Sequence, residues 1–245
     1  MFDPRMAAKV ALVTGANKGI GLEIARGLAQ HDCAVLVAAR DRTRGERAVT
    51  ELSAHGGEFH YLQLDVTDES SIDEAARWID ERFGRLDILV NNAGITDRPV
   101  AGPPSETDVA AMRAVYETNV FGIVAVTNAL LPLLRRSPAG RIVNVSSGLS
   151  SISAHAAPDS ALGCFLAYGS SKSALNAITV QYGKELRDTA IKVNACAPGY
   201  CATDLNGHRG HRTPAQGAKV AIDLALLGAD GPTCGFFSED GAVPW

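Results

Sequence analysis

Long apolar runs are missing from this 245-residue sequence. Its most apolar helical stretch, IVAVTNALLPLL at 123–134, carries Thr127, Asn128 and Pro132 and is too short to span a bilayer, so no membrane partner is expected. Excess positive charge is also missing. A net charge of −4 and a pI near 5.9 argue against nucleic acid or an anionic membrane as the main partner, so any anionic ligand needs a local set of donors. The five cysteines (Cys33, Cys164, Cys196, Cys201, Cys234) include no CxxC pair and leave one over in any pairing scheme. Reduced thiols in the cytoplasm are the simplest expectation. Cys196 and Cys201 flank a Pro-Gly turn with no histidine at ligand spacing, so no metal is expected. The start, MFDPRMAAK, is polar and lacks a secretory h-region, and residues 1–8 read as a flexible tail. No repeat, low-complexity run or Pro/Ser-rich linker divides the chain, which reads as one domain over 1–245.

What is present is an alternation. Apolar runs at 9–15, 33–40, 58–66, 86–94, 140–147, 191–199 and 234–237 read as strands, and helical patterns fill 19–31, 42–54, 69–83, 105–135, 165–188 and 213–228. Strands apolar on both faces and separated by helices imply a parallel sheet covered on both sides. With right-handed crossovers this becomes an α/β, doubly wound, Rossmann-type sheet. The segments 148–164 and 200–214 read as long loops at the carboxyl edge of that sheet, where such folds bind ligands.

The first strand runs into TGANKGIG (14–21), which opens a helix. Gly15 permits a tight turn, Gly19 lets backbone approach a phosphate, and Gly21 permits close helix–strand packing. The free N–H groups of the helix start suit a pyrophosphate. At 168–172, YGSSK places a tyrosine and a lysine one helical turn apart on the same face. A tyrosine needs its pKa brought down from about 10 to act as an acid/base near neutrality, a shift of about three units or roughly 4 kcal/mol. A unit charge about 4 Å away at an effective dielectric of 20 supplies a similar amount, and Lys172 is spaced to do so.

With NNAG (91–94) after the fourth strand and NVSS (144–147) after the fifth, the spacing G-x-x-x-G-x-G and YGSSK closely resemble the short-chain dehydrogenase/reductase family over almost the whole chain. VAARD (37–41) and the ending GPTCGFF look most like its NADPH-dependent carbonyl reductases. The resemblance implies an NADP(H)-dependent enzyme that reduces a small-molecule ketone or aldehyde. It gives Tyr168 the acid/base role and has Lys172 lower the tyrosine pKa and bond the nicotinamide ribose. Ser147 holds the substrate carbonyl, with Ser146 as runner-up, and Asn119 holds a water beside the lysine. The cofactor is expected along Gly15, Asn17, Lys18, Gly19, Ile20 and Gly21, past Asp65 and Val66, Asn91, Ala93 and Gly94, to Pro198, Gly199 and Thr203. Asp65 has a plainer reading as a helix cap, a role open equally to Thr67 and Asp68.

NAD-preferring members carry an acid at the end of the second strand. Here Ala39 stands there, followed by Arg40, and Lys18 is the other cation within reach; both are expected at a 2′-phosphate, beside Asp41. His208 and His211, three apart, have no acidic or cysteine partner spaced to complete a metal site, and read as surface or substrate-loop histidines. Ser147 and Tyr168 stand 21 positions apart, longer than in most members. Monomeric carbonyl reductases carry a still longer insertion there. Whether this one lines the substrate pocket or alters assembly, and whether the protein is a monomer or a homo-oligomer, the sequence leaves open. Other readings are an alcohol or polyol dehydrogenase, a biosynthetic ketoreductase, or, more remotely, a non-catalytic cofactor sensor.

Overall fold

The computed structural model describes residues 9–98 and 100–245; the N-terminal segment read as a flexible tail lies outside them. One eight-stranded sheet runs through the molecule: β1 (Lys9–Thr14), β2 (Cys33–Ala39), β3 (Glu58–Gln63), β4 (Ile88–Asn91), β5 (Arg141–Val145), β6 (Lys192–Cys196), β7 (Phe236–Ser238) and β8 (Gly241–Ala242). The order is β3-β2-β1-β4-β5-β6-β7-β8, parallel throughout except for the β7–β8 hairpin. The chain reverses its winding between β1 and β4, the crevice where such sheets bind ligands.

The two-residue period of a strand sorts the core into two layers. Ala11 and Val13 of β1 and Val35 and Val37 of β2 face α1 (Gly19–Ala29), α2 (Arg42–Ser53) and α8 (Pro214–Ala225). Val10, Leu12, Leu36 and Ala38 face α3 (Glu69–Phe83) and α5 (Gly122–Leu134) on the other side. Carboxylates and a hydroxyl start the helices: Asp41 caps α2, Asp68, one of the caps the sequence offered, caps α3, and Thr213 forms a reciprocal cap with Gln216 on α8.

Three departures from the sequence reading affect the site. The helix expected over 105–135 begins at α4 (Val109–Tyr116), capped by Asp108. It passes through a wide π-turn at Glu117–Phe121 before α5, giving a continuous run to Leu134. That run is long and apolar enough to cross a membrane by length and composition, whereas the stretch 123–134 alone is not; half of its most apolar window is buried within the fold. The loop expected over 148–164 contains a 3₁₀ turn at Gly148–Ser150 and the short α6 (Ile152–Ala156) before α7 (Leu166–Glu185). The hairpin strand β8 is too short to leave a periodic signal.

Candidate active site

The carboxyl ends of the parallel strands open into one cleft of about 970 Å³. Neighbouring strands lie about 4.8 Å apart, so the ends of β2 and β5, three spacings apart, are separated by about 14 Å. At one end the cleft is bordered by Arg40, Asp41 and Arg44, and at the other by Ser147, Tyr168 and Lys172. Of the residues expected to touch a cofactor, Gly15, Asn17, Lys18, Gly19, Ile20, Gly21, Arg40, Asp65, Val66, Ala93, Gly94, Tyr168, Lys172, Pro198, Gly199 and Thr203 all border it. Asn91 does not.

The glycine loop is a cradle that side chains would fill. Gly15 and Gly19 hold positive φ angles of 64° and 59°, and a Cβ on Gly21 would lie 2.4 Å from Asn92 Nδ2. Lys18 stands at the N-cap of α1 without a side-chain bond to the helix, which leaves the first-turn N–H groups facing the cleft. Thr14 ties the loop to the end of β4: its Oγ1 accepts from the Asn92 and Ala93 N–H groups at 2.9 Å each. Asn92 Nδ2 donates back to the Thr14 carbonyl at 2.8 Å. This frame, with room for an extended ligand and a helix start aimed at it, fits a dinucleotide.

Asn91 is a correction. It lies on the face of β4 shared with Leu89, and its amide donates to Asn144 Oδ1 (2.9 Å) and Thr127 Oγ1 (3.2 Å), buried behind the sheet. Asn92, the next residue of NNAG, is the one that reaches the cleft. The sign was in the sequence, since one step along a strand changes face. Asp65 does not cap a helix: its Oδ1 closes a turn onto Thr67 N and Oγ1, while Asp68 caps α3. Arg44, one turn into α2, joins Arg40 at the cleft, and the sequence reading passed over it. Lys18 is paired with Asp204 across the cleft mouth. Lys18 and, more weakly, His208 hold the Asp204 carboxyl below its usual range. His208 pairs with the same carboxylate, four residues before it in the chain, at 2.9 Å.

The other end is drier, with Ser147 and Tyr168 half-buried at the cleft over a buried Lys172. Tyr168 and Lys172 sit in the first two turns of α7, and Lys172 is 3% exposed. Its Nζ donates to the Val145 carbonyl at 2.8 Å and lies 5.8 Å from the Tyr168 ring centroid. Burial pushes the Lys172 pKa down to about 8, against an opposing pull from the Cys196 thiolate form. Burial pushes Tyr168 up to about 12, partly offset by a hydrogen bond from the Ser147 side. In the protein alone, burial of the phenolate sets the direction of the Tyr168 shift.

The twin serines part company. Both border the cleft, but Ser147 is the more open of the two and caps the 3₁₀ turn through Leu149 N. Ser146, 3% exposed, donates to Asn176 Oδ1 at 2.7 Å, and Asn176 in turn donates to Ser150 Oγ. With Ser173 bonded to the Ser150 carbonyl, this network seats the 146–150 turn on α7. Asn119, in the π-turn, is fully buried; its Oδ1 accepts from Ile95 N, and its Nδ2 donates to Ile95 O and Ser171 Oγ. A Cβ on Gly94 would stand 3.3 Å from Asn119 Oδ1 and 3.4 Å from Lys172 Nζ, so Gly94 lets these two groups meet the strand end. π-turns of this kind recur at functional sites.

Residues 9–213 match the family model described as short chain dehydrogenase. A short-chain dehydrogenase of Penicillium roqueforti is 38% identical over 241 residues, covering 94% of each chain. Human carbonyl reductase [NADPH] 1 is 34% identical, with 96% of this chain and 98% of that one covered. Among solved structures, the RhlG/NADP active-site complex of Pseudomonas aeruginosa superposes with a TM-score of 0.83 at 32% identity, covering 96% of both chains. With the glycine cradle, the switch-point cleft and the tyrosine–lysine turn already in place, these matches make the chain a member of the short-chain dehydrogenase family.

Proposed function

We propose that the protein is an NADP(H)-dependent oxidoreductase that reduces a ketone or aldehyde to the alcohol, with Tyr168 as the proton donor. The observation that carries this reading is the joining of Ser147, Tyr168 and Lys172 to the glycine loop in a single cleft. Its relation to carbonyl reductases [NADPH] and to NADP complexes supports the cofactor. When bound, NADPH supplies the hydride that reaches the carbonyl carbon. The N–H groups at the start of α1 would take the pyrophosphate, and Arg40 and Arg44 would offer guanidinium donors to the 2′-phosphate. Ser147 Oγ holds the carbonyl oxygen in line with Tyr168 Oη. Tyr168 Oη donates its proton as that oxygen gains charge, and an alkoxide takes it readily because it is a stronger base than the phenolate. Lys172 Nζ, on the same helix face, stabilises the phenolate left behind.

The pH dependence of the two directions follows from the same chemistry. A phenol raised to about 12 is protonated at neutral pH, the form that reduction requires. Oxidation of an alcohol requires the phenolate. Rates with NADPH over a panel of ketones and aldehydes, and with NADP⁺ over the matching alcohols, should show reduction dominant at pH 7 and oxidation climbing as pH rises. Oxidation faster than reduction at pH 7, with no alkaline rise, would contradict this reading.

A further inference from the structure

Four carboxylates border the cleft, and three are met by donors. Asp41 accepts from Arg44 N, Asp65 from Thr67 N and Oγ1, and Asp204 holds Lys18 and His208. Asp97 is different. Its side chain is 5% exposed, and Oδ2 accepts from the Arg98 guanidinium at 3.1 Å. Oδ1 is shut off from solvent and has no hydrogen-bond partner among the described residues. Burying an acceptor without a donor is unfavourable, and folded proteins keep few such atoms.

The position of Asp97 in the cleft gives that atom a use. It stands three residues beyond Gly94, which abuts Lys172 and Asn119, so its Cα lies within about 11 Å of Gly94 Cα. The loop that carries it is pinned to the segment before α7 by Gly102 N donating to the Cys164 carbonyl at 3.0 Å. The same cleft is lined by Ile95, Leu149, Phe165 and Tyr200, with Thr96 and Arg98 beside Asp97 in the chain. Within such walls one carboxylate with an unmet oxygen is a selective element, because a ligand lacking a donor leaves it unmet. Rotation about Cβ–Cγ only exchanges the two equivalent oxygens, so an incoming group meets the unpaired one when the side chain turns about Cα–Cβ toward the cleft.

We infer that Asp97 is a specificity-determining residue, selecting carbonyl substrates that carry a hydrogen-bond donor, a hydroxyl or a protonated amine, on an otherwise apolar frame. This rests on the carbonyl-reductase reading above. The probes are acetophenone, its three ring-hydroxylated isomers and its ring-aminomethyl derivatives, each reduced with NADPH. Wild type should prefer at least one donor-bearing ketone over acetophenone by roughly tenfold or more in kcat/KM. Asp97→Leu should erase that preference while leaving the acetophenone value within about twofold and lowering the melting temperature only slightly, because Arg98 keeps the Glu106 carbonyl and Thr107 Oγ1 as acceptors. Asp97→Asn should keep part of a hydroxyl preference and lose an ammonium preference, which tells the two donors apart. The inference is overturned by equal selectivity in wild type and Asp97→Leu, or by a large fall in melting temperature, which would make Asp97 a structural residue. Failure of wild type to reduce any carbonyl compound would overturn it together with the reading it rests on, whereas the other two results leave that reading intact.

Discussion

The two ends of the cleft are built on opposite principles. At the β2 end, Arg40, Asp41 and Arg44 are exposed, and their charges sit in water where single pairs are weak and salt-screened. At the β5 end, Lys172 and Asn119 are buried, and the groups around them are joined by hydrogen bonds to backbone and to one another. An exposed cation discriminates between ligands that differ by a phosphate without costing the fold much. A buried cation shapes proton affinities, and the fold must bear its desolvation. Identity of the cofactor is thus assigned at the wet end and chemistry at the dry end.

Removing the buried cation is expected to have the largest effect on that contrast. Lys172→Met should lower kcat by about a hundredfold or more with NADPH and NADH alike, leaving their ratio unchanged, as steady-state rates with both cofactors will show. The same variant has a stability signature. Because the folded pKa of Lys172, about 8, lies below its ordinary 10.5, the unfolded chain binds more protons between these values. Wild-type stability from this group therefore rises across pH 8 to 10.5. Relative to wild type, Lys172→Met should be favoured below pH 8, by up to about 3 kcal/mol, and lose that advantage as pH rises to 10.5, read from denaturant midpoints.

A smaller effect separates the adjacent serines. Ser147→Ala should cut kcat by roughly a hundredfold and cost at most about 1 kcal/mol of stability, from the lost bond to Leu149 N. Ser146→Ala, which leaves Asn176 Oδ1 without its donor, should cost about 1–3 kcal/mol of stability while Ser147 and Tyr168 keep their positions. If both variants lose activity equally without loss of stability, the division between them is wrong. The smallest change is expected at the wet end. Arg40→Ala should raise the KM for NADPH by about tenfold and hardly alter that for NADH, since one charge-assisted bond is worth about 1.5–3 kcal/mol. An equal rise for both cofactors would remove the distinction between the two ends.

The same contrast marks what could be read from sequence. The glycine loop, the apolar strands and the one-turn spacing of Tyr168 and Lys172 are local patterns, and the structure brings them to one cleft as their order implied. Contacts made across the fold were not legible. The pairing of Lys18 with Asp204 joins positions 186 apart, and the Asn91–Asn144 bond needs the strand register. The π-turn at 117–121 has no composition signal of its own, and β8 and α6 are shorter than any period that could announce them. The burial of Tyr168 was not legible for a related reason: charge spacing follows from the helix, but desolvation depends on everything packed around the ring.

The claim that Tyr168 supplies the proton at the dry end is tested most directly by Tyr168→Phe, with NADPH binding followed by fluorescence titration and reduction followed as loss of NADPH. The variant should bind NADPH within about twofold of wild type and reduce the best carbonyl substrate at least a thousandfold more slowly. A variant that binds and reduces as wild type does would contradict the account.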